Sequence, residues 1–216
     1  MIRPCLCLTA VITVLAGCAA ESTDPAAPAE TTGTEAPAFT VKPGSQLHFL
    51  TPAPNSPPLA ERSVTFYAVR GQDREAFIWY HKQAGEPDSS KLARFKVPKE
   101  SLVRRPNGTP IAVGDSIKIT MSVPDLTRLQ VEFQPAGLRF AAGRPGKLTL
   151  WYLEADHDFN DDGRINRTDT ALESQFRIWR QERVGAPFTS QLTERNTLTE
   201  QLESDVPGFT RYVIAY

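Results

Sequence analysis

Short runs in which apolar and polar residues partly alternate, rich in β-branched and aromatic side chains, fill the chain between about residues 64 and 153. They predict strands over Val64–Val69, Ala76–His81, Leu92–Val97, Ser116–Val123, Leu129–Phe133 and Lys147–Leu153. Turn signals separate them: Pro106-Asn107-Gly108, Val113-Gly114-Asp115 and Pro135-Ala136-Gly137. No long helical period precedes residue 165, whereas Leu172, Phe176 and Trp179 recur at helical spacing and predict a helix over about 167–182. A final apolar run, Tyr212–Tyr216, reads as a strand returning to the sheet. The pattern predicts a mainly β chain, an antiparallel sandwich or barrel, with one helix near its C-terminus.

The N-terminal apolar run has a different character. Arg3 precedes Leu8–Ala16, a stretch too short and badly flanked to remain in a bilayer as a helix, and it ends in Leu15-Ala16-Gly17-Cys18. This segment resembles the lipobox of bacterial lipoproteins. The resemblance implies removal of residues 1–17 and a lipid on Cys18, whose acyl chains hold the protein to a membrane at about 0.8 kcal/mol per buried methylene. Ala19 and Ala20 follow, without an Asp, which in that family implies the outer membrane of a Gram-negative envelope, with the protein facing the periplasm or the surface.

Composition changes the picture in two places. Residues 18–45 are rich in Ala, Pro, Thr and Glu with almost no large apolar side chains, so they predict a disordered tether. Pro52–Pro58 reads as a surface loop, and residues 46–216 have the length of one domain. Of three cysteines, Cys5 and Cys7 lie in the removed segment and Cys18 carries lipid, which leaves no thiol or disulfide chemistry for the fold. With 24 basic and 25 acidic residues the chain is near neutral, and no nucleic-acid partner is expected.

The most informative stretch is Asp158-Phe159-Asn160-Asp161-Asp162-Gly163-Arg164-Ile165-Asn166-Arg167-Thr168-Asp169. It places oxygen side chains at loop positions one, three, five, nine and twelve, glycine at six and an aliphatic residue at eight, which matches an EF-hand-type calcium loop. A hard cation takes six to eight oxygens, and alternate residues of a tightly curling loop direct theirs inward. Asp158, Asn160, Asp162, the Arg164 carbonyl, Asn166 and Asp169 are therefore the expected Ca2+ ligands, and Ile165 is expected to pin the loop to the core. The twelfth residue is Asp where sensor EF-hands have Glu, and no second loop is present to pair with this one. The form resembles the loops of dockerin repeats, although a strand, Leu148–Ala155, stands where a helix would enter. Asn166 is positioned to cap the following helix. Most such single extracellular sites hold a structure together rather than switch it.

Upstream of the loop, Phe95-Lys96-Val97-Pro98, Asp115-Ser116-Ile117-Lys118-Ile119-Thr120 and Val131-Glu132-Phe133-Gln134-Pro135-Ala136-Gly137-Leu138-Arg139-Phe140 precede Pro145 and Leu148-Thr149-Leu150. In this order they resemble the ZU5 domain over about residues 92–153, without that family's Gly-rich opening. The resemblance implies an antiparallel β-sandwich that packs against other domains and is not an enzyme. From the residues alone, Pro135 and Gly137 make a turn, and Phe133, Leu138 and Phe140 supply core.

The sequence contains no recognisable catalytic constellation. His48, His81 and His157 have no metal-ligand spacing, and neither a nucleophile elbow nor a phosphate-binding glycine loop is present. Glu154 and Asp156 share a strand face at a spacing that proves nothing about glycoside hydrolysis. Trp79, Tyr80, Trp151, Tyr152 and Trp179 either line a carbohydrate-binding face or enter the core. The chain thus reads as a lipid-anchored envelope protein in which a β-sandwich with a calcium-loop–helix insertion binds one structural Ca2+ and meets an unidentified protein or glycan. The alternatives are a cohesin-binding dockerin, a carbohydrate-binding module and a calcium-assisted hydrolase of the envelope.

Overall fold

The computed structural model describes residues 39–216, so the segment 1–17, the lipidation residue Cys18 and the tether as far as residue 38 lie outside the described residues. The described chain is mainly β, and every strand pairing in it is antiparallel. Its strands are β1 (Val41–Lys42), β2 (Ser63–Val69), β3 (Arg74–Trp79), β4 (Lys91–Val97), β5 (Leu102–Arg104), β6 (Ser116–Ser122) and β7 (Gln130–Gln134). There follow β8 (Arg139–Phe140), β9 (Gly146–Trp151), helix α1 (Arg167–Glu173), β10 (Arg177–Gln181), β11 (Phe188–Ser190), β12 (Thr193–Asn196), β13 (Gln201–Val206) and β14 (Arg211–Ala215). A seven-stranded sheet runs β1-β11-β10-β14-β7-β6-β2, a five-stranded sheet runs β12-β13-β9-β4-β3, and β5 pairs with β8.

Strand alternation explains which faces are buried. In β6, Ile117, Ile119 and Met121 point into the core while Ser116 and Lys118 face solvent. In β4, Phe95 and Val97 do the same against Arg94 and Lys96, which are only partly exposed. Both sheets contribute to one hydrophobic cluster: Ile119, Phe133, Tyr212 and Ile214 come from the larger, and Ile78, Phe95, Leu148, Leu150 and Leu202 from the smaller. The Phe95 and Phe133 rings, one from each sheet, lie 4.5 Å apart between centroids. Phe209 stacks on Phe133 at 5.0 Å and meets Phe95 and Phe140 edge-on at 5.5 and 5.4 Å. These offset and edge-to-face arrangements suit the ring quadrupoles.

Strand β14 is buried on both faces, which accounts for the unbroken apolar run at the end of the chain. Tyr212 and Ile214 belong to the main cluster, whereas Val213 and Ala215 join Leu47, Trp179 and Phe188 in a smaller one on the opposite face. Burial pushes the Tyr212 phenol up to about 12, and its hydroxyl donates to the Gly208 carbonyl at 2.6 Å.

The structure departs from two expectations. The helix expected over 167–182 ends at Glu173, and Arg177–Gln181 is instead β10, paired at five positions with β14. The Leu172, Phe176 and Trp179 spacing is not a helical stripe. Phe176 and Ile178 enter the main core while Trp179 faces the smaller cluster, where its indole N–H donates to the Ala215 carbonyl at 3.1 Å. A wide sheet offered this apolar segment backbone partners on both sides, and tertiary pairing overrode local periodicity. The tether was expected to reach residue 45, yet Val41 and Lys42 pair with Thr189 and Phe188, and the Thr40 carbonyl accepts from Ser190 N–H at 2.8 Å. Strands β1, β5, β8, β11, β12 and β13 have no counterpart in the sequence reading because most are short and lie in polar or Pro-rich surroundings.

Of the described glycines, Gly146 of β9 leaves the least room for a side chain. A Cβ there would sit 2.6 Å from Phe95 Cζ and 2.7 Å from Cε2. The ring has no room to retreat, since Phe133, Phe140 and Phe209 surround it. Gly146→Ala should therefore cost about 1–3 kcal/mol through overpacking, seen as a lower urea midpoint at unchanged m-value.

Candidate functional site

The Asp158–Asp169 segment leaves the five-stranded sheet after β9 and leads into α1. Its curl is set by hydrogen bonds to its own side-chain oxygens. Asp158 accepts from the backbone N–H groups of Asp162 and Gly163, at 3.1 Å on Oδ1 and 2.6 Å on Oδ2. Asn160 Oδ1 accepts from Asp162 N–H at 3.2 Å, and Asp162 Oδ1 accepts from Arg164 N–H at 2.9 Å. Gly163 has φ 79°, a left-handed conformation that costs glycine little, and Asp161 has φ 57° in the region Asp tolerates better than most side chains. The loop thus brings Asp158, Asn160 and Asp162 together, and the Asn160 amide donates to Asp162 Oδ2 at 3.0 Å.

The later candidates sit differently. Asn166 is the N-cap of α1: its Oδ1 accepts from Thr168 N–H at 2.8 Å, and its amide donates to the Arg164 carbonyl at 3.2 Å. Asp169 is 2 % exposed and uses both carboxylate oxygens on backbone. It accepts from Phe159 N–H at 2.9 Å and from Asn166 N–H at 2.8 Å, so one side chain ties the start of the loop to its end and completes a capping box. The Asn166 bond, first among these, holds the Asp169 carboxyl below the usual carboxylate range, against the opposing effect of burial.

Ile165, expected to pin the loop to the core, is 73 % exposed. Phe159 performs that role from loop position two. Its ring packs edge-on against Phe176 at 4.7 Å, and the Tyr216 hydroxyl donates to its carbonyl. The approach of the chain from β9, rather than from a helix, turns this earlier side chain toward the core.

Whether a cation suits the loop depends on its donors. They are all oxygen: two carboxylates, Asp158 and Asp162, with the Asn160 amide and the Arg164 carbonyl, a composition that fits a hard ion. Among the described residues no three His, Cys, Asp or Glu side chains converge as a metal-binding cluster, because Asp169 is turned to backbone and two of the remaining donors are neutral.

Glu154 and Asp156 do not act as a pair. Glu154 accepts from the Ser90 hydroxyl at 2.7 Å, and Asp156 accepts from Asp158 N–H at 3.1 Å. The aromatic residues divide. Tyr80, Tyr152 and Trp179 are buried, whereas Trp79 and Trp151 are half-buried. Lys91 Nζ lies 5.2 Å from the Trp79 ring, 5.3 Å from Trp151 and 5.9 Å from Phe77, which gathers all three rings around one ammonium. Phe77 and Lys91 escaped the sequence reading. The available signal was alternation about Ile78, which is buried and so sends its neighbours Phe77 and Trp79 to the other face.

Asp169 makes the loop acid-sensitive in a defined window. A carboxyl depressed in the folded state contributes stability above its unfolded value near pH 4, and that contribution is lost as pH falls through the lower, folded value. Asp169→Asn should be less stable than the parent at pH 7, with the difference shrinking as pH falls below about 4 in urea denaturation.

No protein-family model, curated protein or solved structure gives a significant match to this chain.

Proposed function

We propose that this chain is a lipid-anchored protein of the bacterial cell envelope, acylated at Cys18, whose two sheets form a ZU5-like sandwich holding one structural Ca2+ in the 158–169 loop. The observation that carries the calcium reading is the inward curl of the loop about Asp158, Asn160 and Asp162. Those three side chains and the Arg164 carbonyl would hold the ion, with Asn166 and Asp169 bracing the loop from the helix side. The ion would supply positive charge that relieves the crowding of Asp158 and Asp162 and would fix the connection between β9 and β10. The shared core of the two sheets, with Phe133, Leu138 and Phe140 buried in it, supports the sandwich and the ZU5 likeness. The Leu15-Ala16-Gly17-Cys18 motif supports the anchor, and Ala19 and Ala20 after it, without an Asp, support the outer membrane, where the domain would meet a protein or glycan partner.

Thermal unfolding of the full chain with EGTA and then with rising Ca2+ tests this reading. At a hundredfold excess over Kd the ion stabilises by about 2.7 kcal/mol, or about 5–10 °C in Tm for a domain of this size. The Asp158→Ala, Asp162→Ala double variant should show no rise. A rise retained in that variant would place the ion elsewhere, and no rise in the parent would remove calcium from the account.

A second reading, a carbohydrate-binding face, is favoured by the gathering of Phe77, Trp79 and Trp151 around Lys91. Half-buried rings beside a cation suit stacking against a sugar face with a charged group alongside. The parent should then be retained on purified peptidoglycan, and Trp79→Ala and Trp151→Ala should be released at unchanged Tm. Failure of the parent to bind would set this reading aside.

A further inference from the structure

A cleft of about 320 Å³ opens at one end of the core, beneath the Pro52–Pro58 loop. Its walls are apolar, formed by Pro58, Leu59, Leu92 and Leu126 among others, and Leu126 is 42 % exposed at its edge. Arg62 and Arg128 also line it, and none of its lining residues is acidic. Arg128 stands between this cleft and a neighbouring one that it lines with Phe49, Asp156, Asp158 and Asp161; its guanidinium lies 4.1 Å from the centre of the Phe49 ring, and Asp125 approaches its Nε at 3.9 Å. Tyr80 closes the inner wall. Burial, with Glu154 nearby, raises its phenol far above the physiological range, so it presents a neutral hydroxyl.

An apolar cleft lined by two arginines and by no acidic residue is complementary to an apolar ligand that ends in an anion. Its volume decides the kind of tail, since it lies at the bottom of the range for small-molecule sites, about 300–1,000 Å³. One unbranched chain fits that space better than the paired chains of a phospholipid. We propose that this cleft binds a free single-chain fatty acid, with the alkyl tail against Leu59, Leu92 and Leu126 and the carboxylate at Arg62 and Arg128. Arg fits this task because its planar fork meets both carboxylate oxygens at once.

The test is isothermal titration of the full chain with hexanoate, octanoate, decanoate and decanol, each below its micellar concentration. Affinity should tighten by about fourfold per added methylene until the cleft is filled. Arg62→Gln and Arg128→Gln should each weaken decanoate by about tenfold and leave decanol unchanged. Arg62 is exposed, so its variant should keep the parent Tm and provide a folding control. Decanol binding as tightly as decanoate, affinity independent of chain length, or arginine variants equal to the parent would each overturn the assignment. So would a dimer in solution that decanoate leaves intact and that occupies the cleft with a second copy.

Discussion

The contact between Phe95 and Phe133 is the interaction on which the described domain depends, because it joins one sheet to the other at the centre of a single core. Phe140 and Phe209 close around it, and the β9 backbone approaches the Phe95 ring so nearly that only glycine fits at position 146. Aromatic rings bury much area with few rotatable bonds, so a cluster of four fixes the separation of two sheets at small entropic cost. Everything attached to the sheet edges inherits that geometry.

The candidate calcium loop is one such attachment. It begins where β9 leaves the small sheet and ends in a helix of seven residues, whose sequel β10 belongs to the large sheet. A crossing between sheets needs a firm hinge, and the loop has two. Asp169 clamps its two ends through backbone N–H groups, and Phe159 sets it against Phe176 and Tyr216. An isolated helix of this length is marginal in water, so the cap and clamp contribute much of what keeps α1 wound. Calcium at the loop would reinforce a junction that the fold already needs, which suits a structural role better than a switching one.

Two other surfaces of interest adjoin this junction, through Trp151 at the end of β9 and through Arg128 beside Asp158 and Asp161. The Lys91 aromatics occupy one face of the small sheet, and the arginine-flanked cleft lies under the proline loop at an end of the core. Both pair apolar surface with positive charge in a chain whose net charge is −1, so the charge is local to the sites rather than a property of the whole.

Much of this was legible in the sequence where the signal is local. Six strands, from β2 to β9, fall within a few residues of where alternation placed them, because a half-buried strand writes its period into the chain, and β14 falls at the apolar run that a strand buried on both faces requires. The loop's oxygen spacing and the Asn166 cap were equally legible, since a turn's chemistry is carried by the residues that make it. Tertiary structure alone decided the rest. Whether Phe176 and Trp179 continue a helix or enter a strand depended on the open partner that β14 offered to β10. Whether Phe159 or Ile165 anchors the loop depended on the direction from which β9 delivers the chain. The gathering of Phe77, Trp79 and Trp151 about Lys91, and of Arg62 with Arg128, depended on registers linking residues far apart in the chain. Local patterns record which side of an element is buried, but not what lies against it, because that is set by the packing of sheets rather than by the period of any one strand.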